Sequence, residues 1–108
     1  MKTRIEKDSL GEIQIPYDAY YGVQTQRAVL NFPISGWKAH PVVVDAFVYI
    51  KKAAAITNSS LGLLNKKAAG AIVKAADEIL AGKHREHFVV DVYQAGAGTS
   101  HNMNTNEV

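Results

Sequence analysis

Helical periodicity in the middle of the sequence constrains the fold more than any other feature. Between residues 41 and 59, apolar side chains recur every three or four positions, and Pro41 suits a first helical turn. The recurring residues are Val43, Phe47, Ile50 and Ala54, and the apolar face is widened by Val44, Val48 and Ala55. The pattern therefore predicts a helix with a broad apolar face.

A second helix is predicted over residues 65–80, where the same spacing is kept by Ala68, Ile72, Ala75 and Ile79. Asn65 can act as its N-cap, and Gly82 suits its end. Because only a short connection joins the two helices, we expect them to pack antiparallel as a helical hairpin. Many facing residues are alanine and bury little area, so we expect much of the core to lie in chain beyond these residues.

The flanking segments predict shorter elements. Residues 3–15 alternate loosely around a turn at residues 9–11, which indicates two short strands or an extended arm. Residues 20–32 predict a short helix that ends before a proline, and residues 87–93 form an apolar run of strand length. The predicted fold class is mainly α, with one amino-terminal domain over residues 1–108 and an extended or hairpin arm at its start.

The sequence after Ser100 is polar and has room for only two helical turns, without a glycine or a basic residue to close them. We therefore expect the chain to be truncated at the start of a helix.

Charge and composition argue against several classes of function. Twelve Lys and Arg residues against ten Asp and Glu give a formal charge of +2, and the basic residues are scattered, so no nucleic-acid surface is predicted. The sequence has no cysteine, which excludes disulfides and Cys-based metal sites. No apolar stretch is long enough for a signal peptide or a membrane span, so we expect a cytoplasmic protein without membrane contact.

A glycine-containing segment near the end is the best candidate for a binding site. Gly96 and Gly98 allow a ligand to approach closely, and the amides of residues 98–100 are expected at the positive end of a helix. This geometry suits an anion, and the Thr99 and Ser100 hydroxyls add neutral donors. A polar loop with a helix cap explains the same residues without a ligand. The segment matches neither a dinucleotide fingerprint nor a phosphate-binding loop, so no nucleotide cofactor is predicted.

The histidines near this segment are weaker candidates. His84 and His87 are three residues apart, but their charged neighbours indicate a solvated turn, so no metal site is predicted. His101 lies beside the glycine-containing segment, where a hydrogen-bonded packing role is the more common one.

Several stretches of the sequence resemble the aspartase/fumarase superfamily. Residues 95–100 (AGAGTS) followed by residues 102–108 (NMNTNEV) are similar to its first signature segment. Residues 18–28, 31–35 and 51–55 resemble its amino-terminal region. Together these stretches extend over essentially the whole chain.

The resemblance implies a mainly helical homotetramer whose active sites draw on three subunits, and a reversible elimination from a small dicarboxylate to give fumarate. In that reaction a base removes a proton beside one carboxylate, the enediolate is stabilised, and ammonia or water leaves. By motif position, Thr99 is similar to the family threonine that contacts substrate, Gly98 belongs to the same substrate-binding segment, and Ser100 and Asn104 resemble supporting residues. The resemblance implies no cofactor and no metal.

The family's remaining site motifs, including the mobile loop with the base serine, do not occur in these residues. No catalytic residue is therefore assigned, and the segment alone is expected to be inactive.

Two activities of this family compete. Members that hydrate fumarate usually have Gly-Ser-Gly-Thr where this sequence has Gly96-Ala97-Gly98-Thr99, and a tryptophan where it has Tyr93. Both departures favour elimination of ammonia from L-aspartate, since ammonium leaves more readily than hydroxide. Hydration of fumarate is the alternative. A third possibility from another class is a helical interaction module without activity, which the alanine-rich helices and remaining apolar surface favour.

Overall fold

The order of elements follows the predicted fold class closely. The computed structural model describes every residue from Met1 to Val108. Its elements in chain order are β1 (Thr3–Asp8), β2 (Gly11–Pro16), α1 (Val23–Asn31), α2 (Pro41–Ser60), α3 (Lys66–Leu80), a 3-10 turn (Arg85–His87) and α4 (Thr99–Glu107). About 52% of the residues are helical and the only sheet is a two-stranded hairpin, so a mainly α fold with a hairpin arm is confirmed.

Contacts divide the chain into two compact units: residues 1–40 with 86–108, and residues 41–85. The assignment of residues 1–108 to one amino-terminal domain stays a prediction. None of the helices is both long and apolar enough to cross a membrane.

The first unit begins with the hairpin of β1 and β2. The strands are antiparallel, with Thr3 opposite Pro16 and Asp8 opposite Gly11. Gly11 has a φ of +116°, which favours glycine, so the turn closes where the sequence predicted it. The buried core beside the hairpin consists of Ile15, Ala19 and Tyr21, and the partly buried Val89 and Val108 pack against it.

Arg4 of β1 holds the chain between the hairpin and α1. Its guanidinium donates to the main-chain oxygens of Pro16 (3.2 Å), Tyr17 (2.8 Å), Ala19 (2.8 Å) and Tyr21 (3.0 Å). These carbonyl groups are turned towards one side chain and not along a helix axis. The helix predicted from residue 20 therefore begins only at Val23, as the first element after this turn.

The second unit is the predicted helical hairpin of α2 and α3. The observed bounds lie within one residue of the predicted ones. The predicted N-cap is confirmed, because the Asn65 side chain accepts hydrogen bonds from the amides of Lys67 (2.8 Å) and Ala68 (3.2 Å). Lys52 of α2 and Asp77 of α3 form an ion pair of 2.6 Å between the two helices.

The stripes that the two helices bury lie about one residue from the main stripe that the spacing predicted. The buried residues are Val44, Val48 and Ala55 on α2 and Ala69, Ala76 and Ile79 on α3. Val44, Val48 and Ala55, which widened the predicted apolar face, are the buried residues of α2, and Ile79 on α3 is buried as predicted. Of the main predicted stripe, Ile50 is 61% exposed and Ile72 is 40% exposed. Because apolar residues occupy consecutive positions on α2, periodicity alone did not decide which stripe would be buried.

The strand expected over residues 87–93 does not form. The segment makes only an isolated bridge between Lys38 and Asp91. The amide of Val89 donates to the Asn104 side chain (3.0 Å), and that of Val92 to the carbonyl of Trp37 (3.0 Å). The amides are thus divided between a side chain and a loop, which leaves no continuous ladder.

Candidate functional site

The backbone is strained immediately before α4. Gly96, Ala97 and Gly98 have successive φ angles of +99°, +50° and +74°. Alanine in this left-handed region costs on the order of 1 kcal/mol, and such strain concentrates at functional sites. The two flanking glycines allow the chain to reverse within this short stretch, so that α4 begins at Thr99.

Thr99 is the exposed member of the predicted site residues. It occupies the first helical position of α4, directly after the N-cap residue Gly98. Because an N-cap side chain must belong to the residue before the helix, the Thr99 hydroxyl is not the cap. The helix cap that would explain this segment without a ligand is therefore not made by Thr99.

The backbone amides at the start of α4 are satisfied within the chain. The amide of Thr99 donates to the Gly96 carbonyl (3.0 Å), and the amide of Ser100 donates to Oε1 of Gln94 (3.1 Å). Ser100 itself is buried, at 7% exposure. The expectation that these two amides would be directed at an anion is wrong for this structure. No pattern in the sequence indicated that the Gln94 side chain would bond to the Ser100 amide.

Asn104 lies on the inner side of the helix, away from solvent. It is 2% exposed, its Oδ1 accepts from the Val89 amide (3.0 Å), and its Nδ2 donates to the His87 carbonyl (2.9 Å). Thr105 beside it is also buried, and its hydroxyl donates to the His101 carbonyl (2.9 Å). The structure thus brings Gly98, Thr99 and Ser100 together and places Asn104 among backbone groups that hold α4 in place.

His101 is the titratable residue nearest the start of the helix. It follows Thr99 by two positions and is half-buried. Burial lowers the pKa of its imidazole, because desolvation disfavours the charged form. The neutral ring is therefore favoured at pH 7.

Asp91 fixes the segment that leads to the strained loop. Its carboxylate accepts hydrogen bonds from the amides of Ser35 (2.8 Å), Gly36 (2.8 Å) and Tyr93 (2.9 Å) and from the Ser35 hydroxyl. Desolvation alone raises the pKa of this carboxyl, but the bonds from Tyr93, Ser35 and Gly36 outweigh it and lower the pKa to about 2. Asp91 therefore carries its charge at neutral pH. It joins the loop at Ser35 and Gly36 to the segment at Tyr93 that precedes the strained loop.

Glu107 fixes the other end of α4. Its carboxylate accepts from the amides of Gln24 (3.1 Å) and Thr25 (2.6 Å) and from the Thr25 hydroxyl (2.5 Å) at the start of α1. Sequence reasoning missed this contact, because the partners are more than 80 residues apart. No group of three or more His, Asp or Glu side chains lies close enough together to bind a metal ion.

Comparison with known proteins places this segment in a family. A family model described as lyase matches residues 11–108. An aspartate ammonia-lyase of a Bacillus species is 57% identical over 105 residues, and a class II fumarate hydratase of Halobacterium salinarum is 58% identical over 105 residues. The chain belongs to the aspartase/fumarase superfamily of lyases. Each of these alignments spans 97% of this lyase chain and 22% of the relative, so the chain has the length of about a fifth of its relatives.

Solved structures agree with the fold of this lyase chain. A fumarate lyase:delta crystallin from Brucella melitensis superposes with a TM-score of 0.95 at 53% identity, over 99% of this chain and 25% of that one. A class II fumarase from Schistosoma mansoni gives a TM-score of 0.95 at 40% identity, over 98% of this chain and 22% of that one. The elements that carry the candidate site are therefore those of the lyase family.

Proposed function

We propose that the chain is the amino-terminal part of a lyase that reversibly eliminates ammonia from L-aspartate to give fumarate, and that the start of α4 forms one part of its substrate site. Thr99 is the residue that contacts substrate. Gly98 allows the close approach, and Ser100 and Asn104 support the segment from its buried side. The exposed Thr99 hydroxyl at the first position of α4 is the observation that carries this assignment.

The neighbouring polar groups explain why Thr99 is the donor. The amides of Thr99 and Ser100 have acceptors within the chain, and the Asn104 amide is engaged with the backbone. Thr99 is exposed to solvent, so a substrate carboxylate can reach its hydroxyl. The positive end of the helix dipole favours the negative charge there.

The chemistry needs such a donor because charge develops on the substrate. Removal of a proton beside one carboxylate gives an enediolate, and a hydroxyl held against that group stabilises the transition state more than the ground state. Fixed placement of Thr99 by α4 gives this donor without reorganisation. The general base and the remaining site groups are contributed by chain outside these residues.

Two features of the motif support ammonia, and not water, as the leaving group. Residue 97 is alanine where the hydrating members usually have serine, and residue 93 is tyrosine where they usually have tryptophan. Without the serine hydroxyl, the loop has one group fewer to orient water. Fumarate hydration is the second candidate, and the 58% identity to the Halobacterium fumarate hydratase supports it directly.

Association with further copies of the chain belongs to the same proposal. The family resemblance supports a homotetramer in the cytoplasm, with a small dicarboxylate as its ligand and without nucleic acid, membrane or cofactor. The proposal requires that the segment alone lacks activity, since the base lies elsewhere.

The test is an assay of the intact lyase that contains this segment, purified and supplied in turn with L-aspartate, L-malate and fumarate plus ammonium. Formation of fumarate from L-aspartate, with little or none from L-malate, is the expected result. Turnover of L-malate alone transfers the assignment to hydration, and turnover of neither substrate contradicts both candidates.

A further inference from the structure

The start of α1 is capped by a residue from a different helix. Its N-cap residue is Gly22, which has no side chain to offer, and its first turn contains no acidic residue. The first amides of a helix have no partner within the helix. Here the carboxylate of Glu107, from the last turn of α4, accepts the amides of Gln24 and Thr25. We call this arrangement the Glu107 cap.

The space around the Glu107 cap leaves little freedom for the carboxylate. Thr25 is completely buried, and its hydroxyl donates to the same Glu107 oxygen that accepts its amide. A Cβ atom added to Gly22 would lie 2.5 Å from Oε2 of Glu107 and 3.0 Å from Oε1 of Glu6. A side chain at position 22 would therefore displace the Glu107 carboxylate from its place at the start of α1.

The Glu107 cap and Thr99 lie at opposite ends of one short helix. Thr99 and Glu107 are the first and last residues of α4. At 1.5 Å per residue their Cα atoms are about 12 Å apart along the axis, so a tilt of about 10° at one end moves the other by roughly 2 Å. A misplacement of about 1 Å at a reacting centre can cost on the order of a hundredfold in rate. Contacts at Glu107 are thus coupled to the position of the Thr99 hydroxyl.

We propose that Glu107 is a positioning residue for Thr99. It joins α4 to the start of α1, and through the rigid helix it fixes the place of the Thr99 hydroxyl against the substrate. Asn104 attaches the helix to the backbone at residues 87 and 89, and Glu107 adds a second attachment at its end, to α1. This inference rests on the proposed function, since it assigns a role within the same site.

The experiment is a double-mutant cycle in the intact lyase, with the substrate that the wild type turns over. Thr99→Val, Glu107→Ala and the double variant are compared by kcat, KM and melting temperature, with Glu12→Gln as a control at an exposed glutamate of β2. We expect Glu107→Ala to lower kcat about thirtyfold to a hundredfold with a much smaller change in KM. In the Thr99→Val background the same change should cost less than about threefold, because its effect passes through the hydroxyl already removed.

Two further variants keep the test decisive if Glu107→Ala fails to fold. Glu107→Gln retains one acceptor oxygen and the side-chain length, and is expected to lose kcat less than the alanine variant. Gly22→Ala displaces the carboxylate from the α1 side and should reproduce the loss of kcat with Glu107 intact.

The outcomes separate this inference from the proposed function. Multiplicative losses in the double variant, or a lowered melting temperature with kcat unchanged, overturn the positioning role while the lyase assignment stands. A wild-type protein that turns over none of the substrates overturns the proposed function and the positioning role with it.

Discussion

The contacts within one unit of the chain differ in kind from the contacts within the other. In the unit of residues 1–40 and 86–108, polar side chains bond to distant backbone, as Arg4, Asp91, Asn104 and Glu107 do. In the unit of residues 41–85, small apolar side chains such as Val48, Ala55, Ala69 and Ala76 fill the contact between two helices. Polar contacts occur in this unit as well, such as the Lys52–Asp77 ion pair and the Asn65 cap. The difference is that the candidate site lies in the unit where buried polar side chains such as Asp91 and Asn104 bond to distant backbone.

The largest expected loss of stability follows from removing Asp91. Asp91 is buried, and Asp91→Ala leaves the amides of Ser35, Gly36 and Tyr93 without their charged acceptor. Hydrogen bonds to charged groups are among the stronger ones, and breaking such a network is among the more destabilising changes. Urea unfolding should show a greater loss in the free energy of unfolding for Asp91→Ala than for the variants of α2 and α3. Asp18→Ala, at an exposed carboxylate, is the control and should be close to wild type. A loss smaller than that of an apolar core variant in the other unit contradicts the contrast.

The same carboxylate predicts a dependence of stability on pH. The pKa of Asp91 is lowered to about 2 in the folded chain from an ordinary value of 3.8. A lowered pKa adds stability that is complete above the ordinary value and is lost as the pH falls towards the folded value. The wild type should therefore lose stability between about pH 4 and pH 2 more steeply than Asp91→Ala does. Parallel curves for the two proteins count against a charged, hydrogen-bonded Asp91.

A valine pair on α2 tests the apolar unit and the rotation of its buried face. Val48 is 1% exposed and Val43 is 41% exposed. Val48→Ala removes two buried methyl groups and should cost about 2 kcal/mol, whereas Val43→Ala should cost less than about 1 kcal/mol. Chemical denaturation of residues 1–108 measures both. A larger loss at Val43 would show that the main predicted stripe, and not the stripe of Val48, is buried.

The smallest expected effect on stability is at the N-cap of α3. Asn65→Ala removes the acceptor for the amides of Lys67 and Ala68 and should cost about 1 kcal/mol. Asn65→Ser keeps a capping oxygen and should recover most of that loss. Thermal unfolding followed by circular dichroism distinguishes the three proteins, and an alanine variant as stable as wild type shows that α3 does not depend on its cap.

The sequence predicted the elements well where the signal was local. The helices over residues 41–60 and 66–80, the Asn65 cap and the turn at Gly11 each depend on residues close together in the chain. The buried faces of the helices were less accessible to prediction, because alanine and valine occupy neighbouring stripes and sidedness is set by the partner helix. The expectation of a strand at residues 87–93 was wrong, because the Val89 amide bonds to a side chain instead of to another strand.

The candidate site was predicted in part. Gly98, Thr99 and Ser100 were found from the motif and its resemblance to a family, and their substrate-binding role stays a prediction. The contacts that hold them in place were not found, because Glu107 and Thr25 meet only after the chain has folded. The side-chain acceptor of the Ser100 amide, Gln94, likewise depends on the turn through Ala97, where a non-glycine residue adopts a left-handed conformation.

The central claim is that the start of α4 presents Thr99 to the substrate, and Thr99→Val in the intact lyase tests it most directly. Valine keeps the branched shape and removes only the hydroxyl, and Thr57→Val at an exposed position of α2 is the matched control. We expect kcat to fall about a hundredfold or more, equivalent to roughly 3 kcal/mol, with little change in KM and in melting temperature, while the control stays at the wild-type rate. A Thr99→Val enzyme within about threefold of wild type in both constants contradicts the account and leaves Thr99 as a surface residue of the helix.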